Sequence, residues 1–312
     1  MNKNNLLPIG FYDLVFKEAE SLHKKINIAI EDFTNSGYGL IKTPLIEFAA
    51  NYSAQDISGS FTLSDSISSE ILVLRNDITL QISRLLATRL KSYELPIKIC
   101  YVGDVLLKKS SELYEDRQST QLGLEIIGAD NDSCILVMTD IINLLKKIST
   151  SKFIVEISFP NFINLLCSEL KIEIDDEFID LVKKKNISYI KKYLGNYHEL
   201  FSDLILKNND FDNIEAKIKN VAPSAESLIL LIEKYVRIKD ILKNKFSEFD
   251  ICCDFMSGDE NSYHQDISFS IFCEDFSYPI ARAGYYEINE NKAFGATIYM
   301  NYLCKVEGKI LR

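Results

Sequence analysis

Gln121, Gly123 and Glu125 alternate with Leu122, Leu124 and Ile126. In an extended chain a period of two puts the amide, the glycine and the carboxylate on one face. The glycine has no side chain and so leaves room for something to lie against the strand. Such a surface offers hydrogen-bond acceptors to a cationic group, although the same alternation also describes the solvated face of a strand buried on its other side. A second polar group, Asp77 and Thr79, stands just ahead of an amphipathic helical pattern, where Asp77 reads as a helix cap. The three histidines, His23, His198 and His264, are dispersed and read as surface or core residues rather than as bases or ligands. Seven scattered cysteines, an odd number without CxxC spacing, indicate neither a disulfide framework nor a zinc site, and they fit reduced thiols. Cys252 and Cys253, adjacent in a strand, point one thiol inward and one outward.

The elements that must position these residues are legible in outline. A β-rich run over 97–102, a charged loop over 108–118 and the Gln121 strand make strand, loop, strand. Apolar residues at helical spacing predict a helix over 14–34, ended by Gly37-Tyr38-Gly39. Residues 40–47 then read as one strand whose Pro44 belongs on an edge or at an interface. The serine-rich segment 50–69 reads as a mobile loop, and 71–75 as a strand leading into a helix over 78–90. A helix follows over 131–148, with Asp132 or Ser133 as its cap, and an alternating strand over 152–158. From 160 to 246 the composition shifts to Lys, Asn, Ile and Leu in helix-like pieces, an inserted helical subdomain whose lysine runs are solvated faces. Strands return over 251–256, 263–272 and 280–287. The expected fold class is α+β, a mixed, mainly antiparallel sheet flanked by helices.

With 312 residues, 47% of them hydrophobic, the chain can bury one large core or two modest ones. A net charge of −10 and a pI near 5.0 argue against a broad nucleic-acid footprint, because phosphate backbones are held by lysine and arginine. No apolar signal region and no stretch with the length and apolarity of a membrane span is visible, so a cytoplasmic protein is expected.

Tyr101, Gly103, Arg117-Gln118 and Gln121-x-Gly123-x-Glu125 together resemble motif 2 of class II aminoacyl-tRNA synthetases in its histidyl form. The helix, glycine and proline-containing strand of 14–47 resemble motif 1, which in that family builds the homodimer. Residues 293–303 resemble motif 3. The histidyl enzymes have Leu-Arg-Pro-Glu-Gly-Thr where this chain has Leu74-Arg75-Asn76-Asp77-Ile78-Thr79, so Asp77 and Thr79 fall on the glutamate and threonine that hold the amino group of histidine. Tyr263 matches the first residue of a Tyr-Tyr-Thr-Gly element lining the same pocket. Asparagine replaces the proline, the acid is one carbon shorter, and the other main departures are losses of arginine. Leu107 stands where motif 2 carries an arginine on the α-phosphate of ATP, with Lys109 in place of the glutamate that follows. Tyr302 stands where motif 3 stacks an arginine on ATP, Tyr285 where Ala-Gly-Gly-Arg-Tyr-Asp has one, and 257–262 contains none.

Losing one such donor generally costs about two to three powers of ten in rate, so the pattern suits a non-catalytic relative. The resemblance extends to the regulatory subunits of ATP phosphoribosyltransferase, which keep the synthetase catalytic-domain fold, have no anticodon-binding domain and pair with a short catalytic subunit in the first step of L-histidine biosynthesis. It implies one class II catalytic-type domain over 1–312 with the helical subdomain inserted at 160–246. It also implies a homodimer within a hetero-oligomer, no cofactor or metal, no tRNA, and L-histidine as an effector held by Asp77, Thr79, Arg117, Gln121, Glu125 and Tyr263. Buried carboxylates are costly unpaired, so a ligand, Arg75 or Arg117 is expected to neutralise them. The alternatives are a truncated histidyl-tRNA synthetase-like enzyme that activates an amino acid, and an architectural dimer with no ligand.

Overall fold

The computed structural model describes residues 6–109, 116–207, 210–223, 225–256, 267–274 and 276–308. Helix α1 (Lys17–Asn35) buries Leu22, Ala29 and Phe33, a stripe at helical spacing, and ends before Gly37, whose φ of +87° suits a residue without Cβ. The single strand expected over 40–47 is two. Strands β1 (Gly39–Ile41) and β2 (Ile46–Phe48) flank Pro44, which has no N–H for a ladder, and they pair in different sheets. The expected loop over 50–69 also has structure. Ser53 is a cap residue that with Asp56 closes a capping box on α2 (Ala54–Ser58), and Asp65 accepts from the backbone N–H groups of Ile67 and Ser68 in the turn between β3 (Thr62–Ser64) and β4 (Ile71–Leu74).

Helix α3 (Thr79–Ala87), strands β5 (Ile97–Leu106) and β6 (Gln118–Ile127) and helix α4 (Ser133–Ile148) follow. Asp132 holds the N-cap position of α4, as expected, while the side-chain acceptor is Asp130, which takes the N–H groups of both Asp132 and Ser133. Next come β7 (Phe153–Ser158), the six helices α5 (Phe162–Leu170), α6 (Asp176–Lys183), α7 (Ile187–Leu194), α8 (His198–Leu206), α9 (Phe211–Val221) and α10 (Glu226–Lys245), then β8 (Asp250–Asp254) and β9 (Ser268–Cys273). Strands β10 (Phe276–Ile288) and β11 (Asn291–Tyr299) and helix α11 (Met300–Val306) close the described chain.

Two compact units divide these elements. The first comprises Met1–Ser151, Asp275–Ala281 and Glu287–Arg312, the second Lys152–Glu274 and Arg282–Tyr286. Strand order in the first is β1-β5-β6-β11-β10, with β1 parallel to β5 and the pairs β5/β6 and β6/β11 antiparallel; β2-β4-β3 form a separate antiparallel sheet. In the second, β7 pairs antiparallel with β9 and parallel with β8, and the six helices lie between β7 and β8 in sequence.

Register on the central strands of the first unit decides what its polar face looks like. Residues directly opposite one another share a face, which gives three rows: Gly103, Gln121, Tyr299; Tyr101, Gly123, Thr297; and Ile99, Glu125, Gly295. Each row contains one glycine, and each glycine makes room for a long side chain. A Cβ at Gly103 would overlap the Arg75 guanidinium, one at Gly123 the Tyr101 ring, and one at Gly295 the Glu125 carboxylate. The space that Gly123 leaves beside its strand is thus filled by Tyr101 of the neighbouring strand. On the opposite face Cys100, Leu122, Leu124, Ile126, Ala296 and Ile298 are buried, and α1 and α4 pack against these strands.

This packing predicts that Gly123→Ala destabilises the fold by about 1–3 kcal/mol, the usual range for overpacking a filled interior. Gly39→Ala, whose Cβ would come no nearer than 3.6 Å to the Lys98 carbonyl oxygen, serves as the control and should change little. Urea unfolding of both variants checks this, and equal losses would contradict it.

Candidate functional site

The first turn of α3 meets the three-row face. Its approach is set by Asp77, whose Oδ1 accepts from the Thr79 N–H at 2.7 Å and whose Oδ2 accepts from Gln121 Nε2 at 3.2 Å. The Ile78 N–H in turn donates to Gln121 Oε1 at 3.4 Å. Asp77 therefore holds the helix start and faces the sheet at once. Thr79 then donates from Oγ1 to Glu125 Oε1 at 3.0 Å, and the Tyr101 hydroxyl donates to the same oxygen at 3.2 Å. Thr297 Oγ1 lies 3.4 Å from the Tyr101 hydroxyl.

Asp77, Thr79, Gln121 and Glu125 are thus brought together by the structure. Arg117 is not hydrogen-bonded into the group. Its Nε donates to the Leu107 carbonyl at 3.2 Å, and its guanidinium lies over the adjacent rings of Phe11 and Phe61, 5.2 and 4.8 Å from their centroids. Tyr263 lies outside the described residues, as does His264. Tyr101 and Thr297 belong to the cluster but were not among the expected site residues. The signal for Tyr101 was present, since a tyrosine directly opposite a glycine on the neighbouring strand has an open space to cover.

Charge is unevenly distributed in this cluster. Burial raises the pKa of Asp77 above the ordinary carboxylate value, partly offset by the hydrogen bonds from Gln121 and Thr79. Burial, followed by the nearby Glu125 and Asp77, pushes the Tyr101 phenol well above its usual value, so it stays protonated and serves as a donor. Neither expected arginine reaches the carboxylates among the described residues. The Arg75 guanidinium donates to Thr43, through its carbonyl at 3.1 Å and Oγ1 at 2.9 Å, and to the Asp104 carbonyl at 2.7 Å. The result is a site rich in acceptors, whose two carboxylates suit a small cationic group.

The positions where ATP chemistry needs guanidinium groups are filled differently. Leu107 is half-buried and pairs through its N–H with the Arg117 carbonyl at 2.7 Å. Tyr302 is buried among Phe276, Tyr278 and Tyr299, with ring centroids 5.8–5.9 Å apart. Asn301 accepts the Thr120 N–H at 2.8 Å, and Lys305 pairs with Asp116 at 2.6 Å. In the second unit Tyr285 is buried beneath the Lys234 ammonium, 5.1 Å from its ring centroid. Among the described residues no group that could hold a metal ion is present, and no helix is long and apolar enough to cross a membrane.

A family model described as histidyl-tRNA synthetase matches residues 10–303. The chain belongs to that family. Among curated members it is 26% identical, over 95% of its own length and 80% of the other's, to the ATP phosphoribosyltransferase regulatory subunit of Paramagnetospirillum magneticum. Its fold is the class II synthetase-like α+β fold. It superposes with a TM-score of 0.79 on an ATP phosphoribosyltransferase regulatory subunit/histidyl-tRNA synthetase from Bacillus halodurans, at 18% identity over 97% of this chain and 83% of that one. An ATP phosphoribosyl transferase complex from Thermotoga maritima contains a chain matched with a TM-score of 0.67, at 21% identity over 93% and 98%. Within the histidyl-tRNA synthetase family the resemblance is thus to regulatory subunits as well as to synthetases.

The raised Asp77 pKa makes a stability prediction. A folded-state carboxyl that holds its proton more tightly than the unfolded one stabilises the fold at low pH, and that contribution is lost as pH rises from the unfolded value through the folded one. Asp77→Asn removes this loss. Relative to the native chain it should gain stability as the pH rises above the ordinary carboxylate value of about 4, measured by urea unfolding at each pH. A difference independent of pH would contradict the assignment.

Proposed function

We propose that this chain is the non-catalytic regulatory subunit of ATP phosphoribosyltransferase and acts in the first step of L-histidine biosynthesis in the cytoplasm. One contrast carries the reading. The end of the pocket that recognises an amino group is retained in Asp77, Thr79 and Glu125, reinforced by the buried Tyr101, whereas 107, 285 and 302 hold Leu, Tyr and Tyr in place of guanidinium groups. Adenylyl transfer needs preorganised cations at the developing charge, so the amino-acid-activating alternative has lost its means of catalysis. The regulatory relatives' names support the same reading.

In this reading L-histidine is the effector. Its ammonium group lies between Asp77 and Glu125, within reach of Gln121. The partner is the short catalytic subunit, and the chain enters the hetero-oligomer as a homodimer. The three-stranded β2-β4-β3 sheet supplies a suitable surface. Ile46, Phe48 and Leu63 share one face with Leu72 and Leu74 by register, and they remain 41%, 48% and 39% exposed. A contiguous apolar face of this kind marks an interface. Histidine shifts the assembly only through different affinities for its two states.

Mixing the purified chain with a short catalytic subunit tests the proposal. The chain alone should form no phosphoribosyl-ATP, and the mixture should run faster than the catalytic subunit by itself and slow when histidine is added. Phe48→Glu should give monomers in sedimentation and lose the activation. Product formation by the chain alone, or a mixture no faster than the catalytic subunit, would refute the reading.

A further inference from the structure

Helix α3 joins the Asp77–Glu125 cluster to the β2-β4-β3 sheet. Its first residue, Thr79, gives its N–H to Asp77 and its hydroxyl to Glu125. Further along the helix Gln81 Nε2 donates to the Pro44 carbonyl at 2.8 Å, just ahead of β2. Arg84 in the last turn reaches β2 itself, where its Nε and Nη2 donate to Glu47 Oε1 at 2.9 and 2.5 Å. Thr79 and Arg84 are five residues apart, about 7.5 Å along a helix axis. One short rigid element therefore touches both places.

Strand parity makes the second contact specific. Along β2 Ile46 and Phe48 are exposed, whereas Glu47 between them turns inward and is only 8% exposed. A carboxylate buried to that extent needs partners. The Arg84 fork supplies one, and the Tyr52 hydroxyl, which donates to Oε2 at 3.4 Å, supplies another. Glu47 thus fastens β2 to α3 without using the apolar side chains on either side of it, which stay available to a neighbouring subunit. At the other end of α3, an ammonium group that meets Asp77 and Glu125 competes with the Thr79 N–H and hydroxyl for the same carboxylates, and so changes what holds the first turn.

We propose, on the strength of the pocket and the homodimer surface inferred above, that Glu47 and Arg84 are positioning residues that couple occupancy of the amino-group pocket to self-association through the β2-β4-β3 face. Coupling of this kind is reciprocal: histidine changes the dimer affinity by the factor by which dimerisation changes the histidine affinity.

Sedimentation equilibrium of the full chain with and without saturating L-histidine tests this. In the native chain histidine should change the dimer dissociation constant about fivefold or more. Glu47→Gln/Arg84→Met removes both charges together, so that neither is left buried alone. It should still dimerise, and still bind histidine in calorimetry, with the shift reduced to less than about twofold. Arg84→Lys, which keeps the charge but loses the fork, should give an intermediate shift and decides the matter if the double variant does not fold. Asn289→Gly, which frees Ser83 of α3 from the turn between β10 and β11, should keep the native shift. A native chain that binds histidine and dimerises with an unshifted constant, variants at 47 and 84 whose shift equals the native one, or an equal loss in Asn289→Gly would overturn this coupling alone. A native chain that binds no histidine or stays monomeric would overturn it together with the effector and homodimer reading.

Discussion

The Tyr101 hydroxyl donates to Glu125 across the space that Gly123 leaves open, and the polar face of the first unit depends on that contact. The ring fits only because the residue opposite it has no Cβ. The carboxylate fits only because Gly295, opposite Glu125, has none either. Burial keeps the phenol protonated, which makes it a lasting donor and holds Glu125 where Thr79 also reaches it. Through Thr79 the first turn of α3 is drawn to the sheet, and Asp77 and Gln121 fasten the other side of that turn. Two glycines on adjacent strands thereby position the Glu125 carboxylate.

This arrangement favours recognition over reaction. Buried acceptors are costly unless a donor meets them, and here hydroxyls, an amide and backbone N–H groups do so. Recognition of an ammonium group would add no developing charge for the protein to stabilise. On the nucleotide side the chain has invested its residues in packing. Tyr302 joins an aromatic cluster, and the Arg117 guanidinium lies over the rings of Phe11 and Phe61 while its Nε donates to the Leu107 carbonyl. Aromatic rings can keep the shape of these positions without a cation, since rings supply burial without charge.

Much of this was legible from local pattern. Period two along Gln121, Gly123 and Glu125 identified the polar face, and the helical stripe of Leu22, Ala29 and Phe33 identified α1. What stayed illegible depended on partners distant in the chain. Residues 40–47 are extended on both sides of Pro44, and only pairing partners from elsewhere send β1 and β2 to different sheets. The serines of 50–69 have the composition of a loop, yet Ser53 serves as a cap because a short helix forms beyond it. Arg117 has the parity of the Gln121 face, but it precedes the strand and its direction is set by two rings from much earlier in the chain. The role of Asp77 could not be decided because both readings describe it: one oxygen holds the helix start and the other faces the sheet.

Calorimetric titration of the isolated chain with L-histidine, in the absence of ATP, tests the account most directly. Histidine should bind with one site per chain, an Asp77→Ala/Glu125→Ala variant should abolish the binding, and ATP should give no heat of its own. Tight ATP binding, or histidine binding that survives the double substitution, would contradict a retained amino-acid pocket on a synthetase fold without activation chemistry.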